Sequence, residues 1–231
     1  VRRGNGVYYK DERIDDYRGK VYGLAIDAGT TTVVLNLVDL EGGEVLHTAS
    51  FENPQRFGGS DVMNRISYDD GPFHGELHQA ILSAFNFEIG DMSRNLGFHR
   101  RQIYEVVIVG NSTMREICFG LDVQSIGERP YKSLVEHEMD QGVRETTVLN
   151  VKAADLGLRV FPEANVYGGP LIGSHVGADI AADLLATSID EEENVVMLVD
   201  VGTNTEVVVG NQHRLMAASC PAGPAFEGGQ I

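Results

Sequence analysis

Cysteine is scarce in this chain, which contains only Cys118 and Cys220 among its 231 residues. The two cysteines lie far apart in sequence, and neither belongs to a CxxC motif or to a Cys/His cluster. This spacing excludes a disulfide-stabilised small protein, and it excludes a zinc or iron–sulfur centre held by this chain. We therefore expect both cysteines to be small buried side chains.

Positive charge is also scarce. The chain contains 18 Lys and Arg residues and 34 Asp and Glu residues, which gives a formal net charge of −16 at pH 7. Six of the cations lie in residues 1–20, and after residue 20 the only lysines are Lys132 and Lys152. So acidic a body repels nucleic-acid phosphates and anionic lipid, which argues against nucleic acid or a membrane as a partner. A phosphate ligand must then be held by backbone amides, hydroxyl groups and a metal ion.

Long hydrophobic runs are missing as well. No apolar run reaches the roughly 18 residues that a membrane-spanning helix needs, and the N-terminus lacks the apolar core of a signal peptide. We therefore expect a cytoplasmic protein. The hydrophobic content of 42% is enough for a packed core in one large domain or two small ones. Because the chain starts on Val1 and stops at Ile231 after a Gly-rich stretch, we also expect a fragment of a longer protein.

Apolar periodicity predicts a fold with two groups of strands. Residues 1–20 are predicted to be a polar lead-in with one short strand at Val7–Tyr9. Three strands joined by hairpin turns are predicted over residues 21–51, and three more over residues 194–218. The fully apolar run Val106–Val109 is typical of a central strand.

Helices are predicted between the two groups of strands, which makes the fold class α/β. Helical periodicity covers residues 61–68, 75–96, 113–119 and 174–187. Residues 121–170 contain Gly, Pro and scattered charge without a clean period, and we predict loops with short strands there.

An internal repeat relates the two groups of strands. The segment IDAGTTTVV at residues 26–34 aligns without a gap on VDVGTNTEV at residues 199–207. Gly permits a tight turn that points amides and Thr hydroxyls into one small space, and Asp at the strand end can hold a hydrated Mg²⁺. One copy alone would be explained as a hairpin turn. Two copies favour a pair of hairpins that clamp a polyphosphate from both sides with a metal ion between them.

This duplicated hairpin resembles the phosphate-binding hairpins of the actin, sugar kinase and heat-shock chaperone superfamily. The resemblance implies a duplicated ribonuclease-H-like, actin-like ATPase fold. Its first half would span residues 21–187, including the connecting helix at 174–187, and a truncated second half would span residues 188–231. Residues 1–20 would then be a linker that follows a preceding region.

Seven motifs in a consistent order narrow the resemblance to the ATP-dependent reductive activators of corrinoid proteins. They span nearly the whole chain and comprise Gly23–Thr32, Asn53–Gln55, Asp61–Val62 with Arg65–Ile66, Gly110–Met114, Gly177–Asp179, Asp200–Glu206 and Pro221–Gly228. The motif at Asn53 is expected to be a loop beside the cleft or on a partner surface.

The family resemblance implies a module that binds and hydrolyses ATP to drive one-electron reduction of a Co(II) corrinoid protein to Co(I) for methyl transfer. The implied partner is a corrinoid iron–sulfur protein or a corrinoid methyltransferase protein, and the sequence leaves open whether the module forms a homodimer. ATP and Mg²⁺ are the implied cofactors. The 2Fe-2S cluster of the family is expected only on a domain outside this chain, because two separated cysteines cannot bind it.

The same resemblance suggests the site residues. Asp27 and Asp200 are the candidate metal ligands and, with Glu206, the candidate catalytic residues. Glu206 has no acidic counterpart in the first copy, where Val33 stands, which suggests that it orients the attacking water; a strand-edge Glu facing solvent is the alternative. The candidate nucleotide-binding residues are Gly29, Thr30, Thr31, Thr32, Gly110, Asn111, Gly202, Thr203, Asn204 and Gly223.

Two other functions stay open at this point. A small-molecule kinase of the same superfamily would need a substrate-binding aspartate and a deep cleft, and no candidate base stands apart from the two hairpins. A non-catalytic scaffold of the actin type would bind nucleotide in order to polymerise. The ordered motifs favour the reductive activator over both.

Overall fold

A small antiparallel sheet forms at the N-terminus in the computed structural model, which describes residues 1–223. Val7 is buried with Val21 and Tyr104, so this sheet packs against the rest of the chain. The predicted strand at Val7–Tyr9 is confirmed as the middle strand, but two further strands were not predicted, because one buried valine in a polar segment is too weak a periodic signal. The strands are β1 (Arg2–Arg3), β2 (Gly6–Tyr9) and β3 (Glu12–Asp16).

A six-stranded sheet forms the centre of the fold. Its strands are β4 (Tyr22–Ala28), β5 (Thr32–Asp39), β6 (Glu44–Glu52), β7 (Ile103–Val109), β8 (Leu149–Lys152) and β9 (Asn165–Gly168). They lie in the order β6-β5-β4-β7-β9-β8. The meander β4–β6 is antiparallel, whereas β7 pairs in parallel with β4 on one side and β9 on the other. The predicted three-stranded meander and the predicted central strand are both confirmed.

Helices cover the sheet and supply its core. They are α1 (Val62–Tyr68), α2 (Glu76–Leu96), α3 (Ser112–Cys118), α4 (Leu134–Asp140), α5 (Ala153–Leu156) and α6 (Ala178–Thr187). The buried stripe of α2 includes Ile81, Phe85 and Ile89, which pack on strands of the central sheet. Among residues 1–223, no helix combines the length and apolar character that crossing a bilayer requires.

Two helix predictions need correction. The predicted helix at residues 174–187 begins only at Ala178, because Gly173 and Val176 form an isolated β-bridge and Gly177 caps the helix. The segment 121–170 contains helix α4 as well as short strands. Its signal was a capping box in which Ser133 and Glu136 bond each other's backbone amides.

A three-stranded antiparallel sheet follows α6. Its strands are β10 (Val196–Val201), β11 (Asn204–Asn211) and β12 (Arg214–Pro221). Ile180 of α6 packs with Val208 against one face of this sheet, while Ala178 belongs to the core of the central sheet. Helix α6 therefore joins the two cores. Cys118 is buried as expected, but Cys220 is exposed on β12, so that prediction was wrong for a residue on an outer strand.

A close approach of two backbones fixes the start of α6 beside the end of β7. The amides of Ala178 and Asp179 donate to the carbonyl oxygen of Gly110, at 2.9 and 3.3 Å. A Cβ atom added to Gly177 would collide with that oxygen and lie 2.6 Å from the carbonyl carbon of Asn111. Only glycine leaves room for this contact.

We expect Gly177→Ala to lower the free energy of unfolding by about 2 kcal/mol or more, since backbone atoms rather than flexible side chains must shift. Gly42→Ala is the matched control, because its added Cβ would meet only the Glu44 side chain at 3.9 Å. Urea unfolding followed by circular dichroism measures both variants. Equal stability of the two variants would contradict the assigned contact.

Candidate active site

The turns of the two repeated hairpins lie against each other. The hydroxyl oxygens of Thr31 and Thr203 are 2.6 Å apart, so a hydrogen bond joins the β4–β5 turn to the β10–β11 turn. A cavity of 170 Å³ lies between the hairpins. The structure thus brings both copies of the sequence repeat to one space.

Most of the predicted site residues line this cavity. They are Asp27, Gly29, Thr30, Thr32, Asn111, Asp200, Gly202, Thr203, Asn204 and Glu206. Thr31 contributes the contact to Thr203 instead. Gly110 lies behind the wall, where its carbonyl oxygen accepts from the start of α6, and the amide of Gly223 donates to the carbonyl oxygen of Thr203 at 2.8 Å. Residues 224–228 of the last motif lie outside the described residues.

Buried polar side chains hold the first hairpin in place. Arg65 is 1% exposed, and its Nη2 atom donates to the carbonyl oxygen of Thr30 at 2.5 Å. Asn53 is equally buried and donates from Nδ2 to the carbonyl oxygen of Gly29 at 2.8 Å. Burial lowers the pKa of Arg65 to about 10, so the guanidinium remains charged at neutral pH. The Asn53 motif is therefore an internal support of the turn and not a partner surface.

Asn111 connects the central sheet to the same hairpin. It follows β7, and its Oδ1 atom accepts from the amide of Met114 as the cap of α3. Its Nδ2 atom donates to the Thr30 hydroxyl at 3.0 Å. The cap of one helix thus orients a hydroxyl that lines the cavity.

Three polar residues form a row across the second sheet. Asp200 on β10 pairs in register with Glu206 on β11, and Glu206 pairs with Ser219 on β12. The Ser219 hydroxyl donates to Glu206 Oε1 at 2.7 Å. Glu206 is only 3% exposed, so the alternative of a solvent-facing glutamate is wrong. Burial raises the pKa of Glu206 and the Asp200 charge raises it further, while the Ser219 hydrogen bond opposes this.

The two hairpins differ by one residue in register. Asp27 pairs with Val34 in the first hairpin, whereas Asp200 pairs with Glu206 in the second, because the first turn is one residue longer. Val34 lines the cavity, and Val33 is buried in the core. The gapless alignment matched Glu206 with Val33, but the residue that occupies the equivalent position in space is Val34.

Asp179 ends the predicted motif Gly177–Asp179, but sequence reasoning did not assign it to the site. It lies in the first turn of α6 and lines the cavity with Asp27, Asp200 and Glu206. Burial and the charges of these three acids raise its pKa to about 7, against the opposing hydrogen bond from the Ile180 amide. The available signal was an acid at the start of the helix that precedes the second hairpin.

The site can accept a cation only together with other ligands. Among residues 1–223, no three His, Cys, Asp or Glu side chains are grouped so that they could hold a metal ion by themselves. The carboxylates of Asp27 and Asp200 nevertheless fit a hydrated Mg²⁺, which keeps several waters and binds through one or two carboxylates plus phosphate oxygens. The oxygen-only character of the donors suits this hard cation.

Family models match almost the whole chain. The RACo middle region matches residues 22–192, and the C-terminal domain of RACo, the ASKHA domain, matches residues 194–231. The corrinoid activation enzyme RamQ of Eubacterium limosum is 33% identical over 211 residues, covering 90% of this chain and 33% of RamQ. The Co(II) methylated amine-specific corrinoid protein reductase of Methanosarcina barkeri is 28% identical over 228 residues, covering 90% of this chain and 37% of the reductase.

A solved structure agrees with these sequence matches. The reductive activator for a corrinoid, iron–sulfur protein superposes with a TM-score of 0.84 and 36% sequence identity. The match covers 94% of this chain and 33% of that one. The chain therefore spans about a third of the length of its relatives, and its α/β fold is of the ASKHA type.

The raised pKa of Asp179 makes protein stability depend on pH. Between its ordinary pKa of 3.8 and about 7, the unfolded chain ionises while the folded chain keeps the proton, so stability falls as pH rises. Asp179→Asn removes this titration. We expect the variant to match the wild type at pH 4 and to exceed its stability by about 4 kcal/mol at pH 8.

Urea unfolding in EDTA is the measurement, because EDTA removes divalent cations that would neutralise the acids. Asp190→Asn is the control, since Asp190 is exposed. A pH-independent difference between Asp179→Asn and the wild type would contradict the assignment.

Proposed function

Since this chain belongs to the RACo family, we propose that it is the ATP-binding and ATP-hydrolysing module of a reductive activator of corrinoid proteins. The activator would drive one-electron reduction of Co(II) corrinoid to Co(I), the state used in methyl transfer. The supporting observation is the cavity between the two Asp-x-Gly-Thr hairpins, whose turns meet through the hydroxyls of Thr31 and Thr203.

The charge of the cavity supports a nucleotide with a divalent cation. Four carboxylates line it, and no cationic side chain of residues 1–223 does so. These acids would repel a polyphosphate unless a cation neutralised the carboxylates and the phosphate groups. Asp27 and Asp200 are the residues that would hold Mg²⁺ through its waters, and the ion would supply neutralisation of the charge that develops on the transferring phosphoryl group.

The hairpins contribute binding groups and the acids contribute proton chemistry. Turn amides at Gly29 and Gly202, with the hydroxyls of Thr30 and Thr32, are suited to hold phosphate oxygens. Glu206 accepts the Ser219 hydroxyl at Oε1, which leaves Oε2 to orient an attacking water. Asp179, with a pKa of about 7, is suited to receive the proton of that water at neutral pH. Its Oδ1 already accepts the Ile180 amide, so Oδ2 is the receiving atom.

The partner proposed here is a corrinoid protein, and the relatives support its class. One is named a corrinoid activation enzyme, another a Co(II) corrinoid protein reductase, and the third a reductive activator for a corrinoid, iron–sulfur protein. Of the two cysteines here, one is buried and the other exposed, and they do not fit a 2Fe-2S cluster. We therefore place the electron carrier outside this chain and derive no electron-transfer step through it.

A second cavity bears on the alternative of a small-molecule kinase. It measures 190 Å³ and adjoins the first through Asn111 and Asn204. Val62, Met63 and Pro221 form apolar walls, and no carboxylate of residues 1–223 lines it. A kinase needs a carboxylate to bind and deprotonate a substrate hydroxyl, so this cavity favours the ATPase over the kinase.

We expect Asp27→Asn and Asp200→Asn each to lower Mg²⁺-dependent ATP hydrolysis by about 100-fold or more, because the cation loses a charged anchor. Phosphate release and ATP-dependent loss of the Co(II) electron paramagnetic resonance signal of a corrinoid protein are measured together in the full-length protein. Asp190→Asn is the control. Full activity of either cavity variant would overturn the site, and ATP-dependent phosphorylation of a small molecule without corrinoid reduction would overturn the function.

For Glu206→Gln we expect kcat to fall by about 100-fold while KM changes less than about twofold, because a group that orients water acts mainly in the transition state. The glutamine carbonyl can still accept from Ser219, so folding should persist. Steady-state ATP hydrolysis separates the two constants. A change confined to KM would mean that Glu206 serves nucleotide binding instead.

A further inference from the structure

An arginine-lined groove lies along the exposed side of α2, outside the active-site cavity. It has a volume of 440 Å³. Phe87, Gly90 and Arg94 form one stripe of α2 with spacings of three and four residues. Arg100, just after α2, and Arg159, just after α5, complete the walls.

The groove is built by specific contacts. Asn86 donates from Nδ2 to the carbonyl oxygen of Gly157 at 3.0 Å and accepts at Oδ1 from the amide of Arg159 at 2.6 Å. These two bonds fix the loop that carries Arg159 against α2. At Gly90 an added Cβ would lie 3.4 Å from Arg94 Nη1, so the absence of a side chain keeps the floor open.

Two arginines that form no ion pair within residues 1–223 line this groove. In residues 21–223 five cations that solvent reaches form ion pairs with nearby acids, among them Arg94, which pairs with Asp91 at 3.2 Å. Five exposed arginines of the same range do not, namely Arg100, Arg101, Arg129, Arg159 and Arg214. Two of these five, Arg100 and Arg159, line the groove. The groove thus presents unpaired positive charge on a protein whose formal net charge is −16.

We propose that this groove binds an acidic segment of a protein partner. Planar guanidinium groups bind carboxylates in a bidentate manner, and Arg100 and Arg159 would supply two of them. Phe87 is 65% exposed and offers an apolar contact between the charges. An open groove that combines arginine with an exposed aromatic ring is typical of a protein interface rather than of an enclosed small-molecule site. The acidic remainder of the surface would repel the same segment and direct it here.

The test uses the full chain and a fluorescein-labelled peptide of alternating Glu and Leu, followed by fluorescence anisotropy. We expect Arg100→Glu with Arg159→Glu to weaken binding by about tenfold or more, because two attractive contacts become repulsive. Arg129→Glu with Arg214→Glu is the matched control: it changes the net charge equally at exposed arginines outside the groove, and we expect less than about a twofold effect. Phe87→Ala should weaken binding without altering its salt dependence.

Four outcomes would overturn the proposal. The wild type does not bind the acidic peptide, or it binds a Lys/Leu peptide equally well. The two double variants lose affinity to the same extent, which would mean that only net charge matters. Inorganic phosphate displaces the peptide at equal concentration, which would make the groove a small-anion site. Circular dichroism of every variant verifies that the fold is retained.

Discussion

Mutual repulsion among carboxylates is the constraint around which this molecule is arranged. Asp27, Asp179, Asp200 and Glu206 face a cavity of 170 Å³ from β4, α6, β10 and β11. Burial, together with the like charges of neighbouring acids, raises the pKa values of Asp179 and Glu206, which expresses the cost of placing carboxylates together in a partly buried space. The fold must therefore hold four elements together at a place where their charges push them apart.

Apolar packing and close backbone contacts supply the opposing stabilisation. Helix α6 is anchored at its start by the carbonyl of Gly110 and along its length by Ile180 in the core of the second sheet. Apolar side chains of β4 and β7 are buried in the core of the central sheet. This packing fixes the end of β4 at Asp27 and the residue Asn111 that follows β7. A cation bound with phosphate would relieve the remaining repulsion, which couples ligand binding to the stability of the site.

The sequence repeat predicted the meeting of the two hairpins because Asp, Gly and Thr recur in the same strand context. It could not predict the strand register, because the first turn is one residue longer and the sequence alignment does not show this. As a result, the residue that occupies the position of Glu206 in the first hairpin is Val34 and not Val33. Asp179 was missed because no strand-end pattern marks an acid on a helix that tertiary packing brings to the cavity. The two outer strands of the N-terminal sheet were missed for a similar reason, since the one buried valine of that sheet finds its partners in Val21 and Tyr104.

The two halves of the site are held in different ways. Side chains of Asn53 and Arg65 bind the carbonyls of Gly29 and Thr30 in the first turn. In the second turn the backbone amides of Ala222 and Gly223 bind the carbonyl of Thr203. The backbone amide of Asn53 also donates to the carbonyl oxygen of Thr31 at 2.7 Å, so the first turn combines a backbone support with side-chain supports that a single substitution can remove. The repeated motif thus has two supports of different origin, and the flanking sequences that provide them are not repeated.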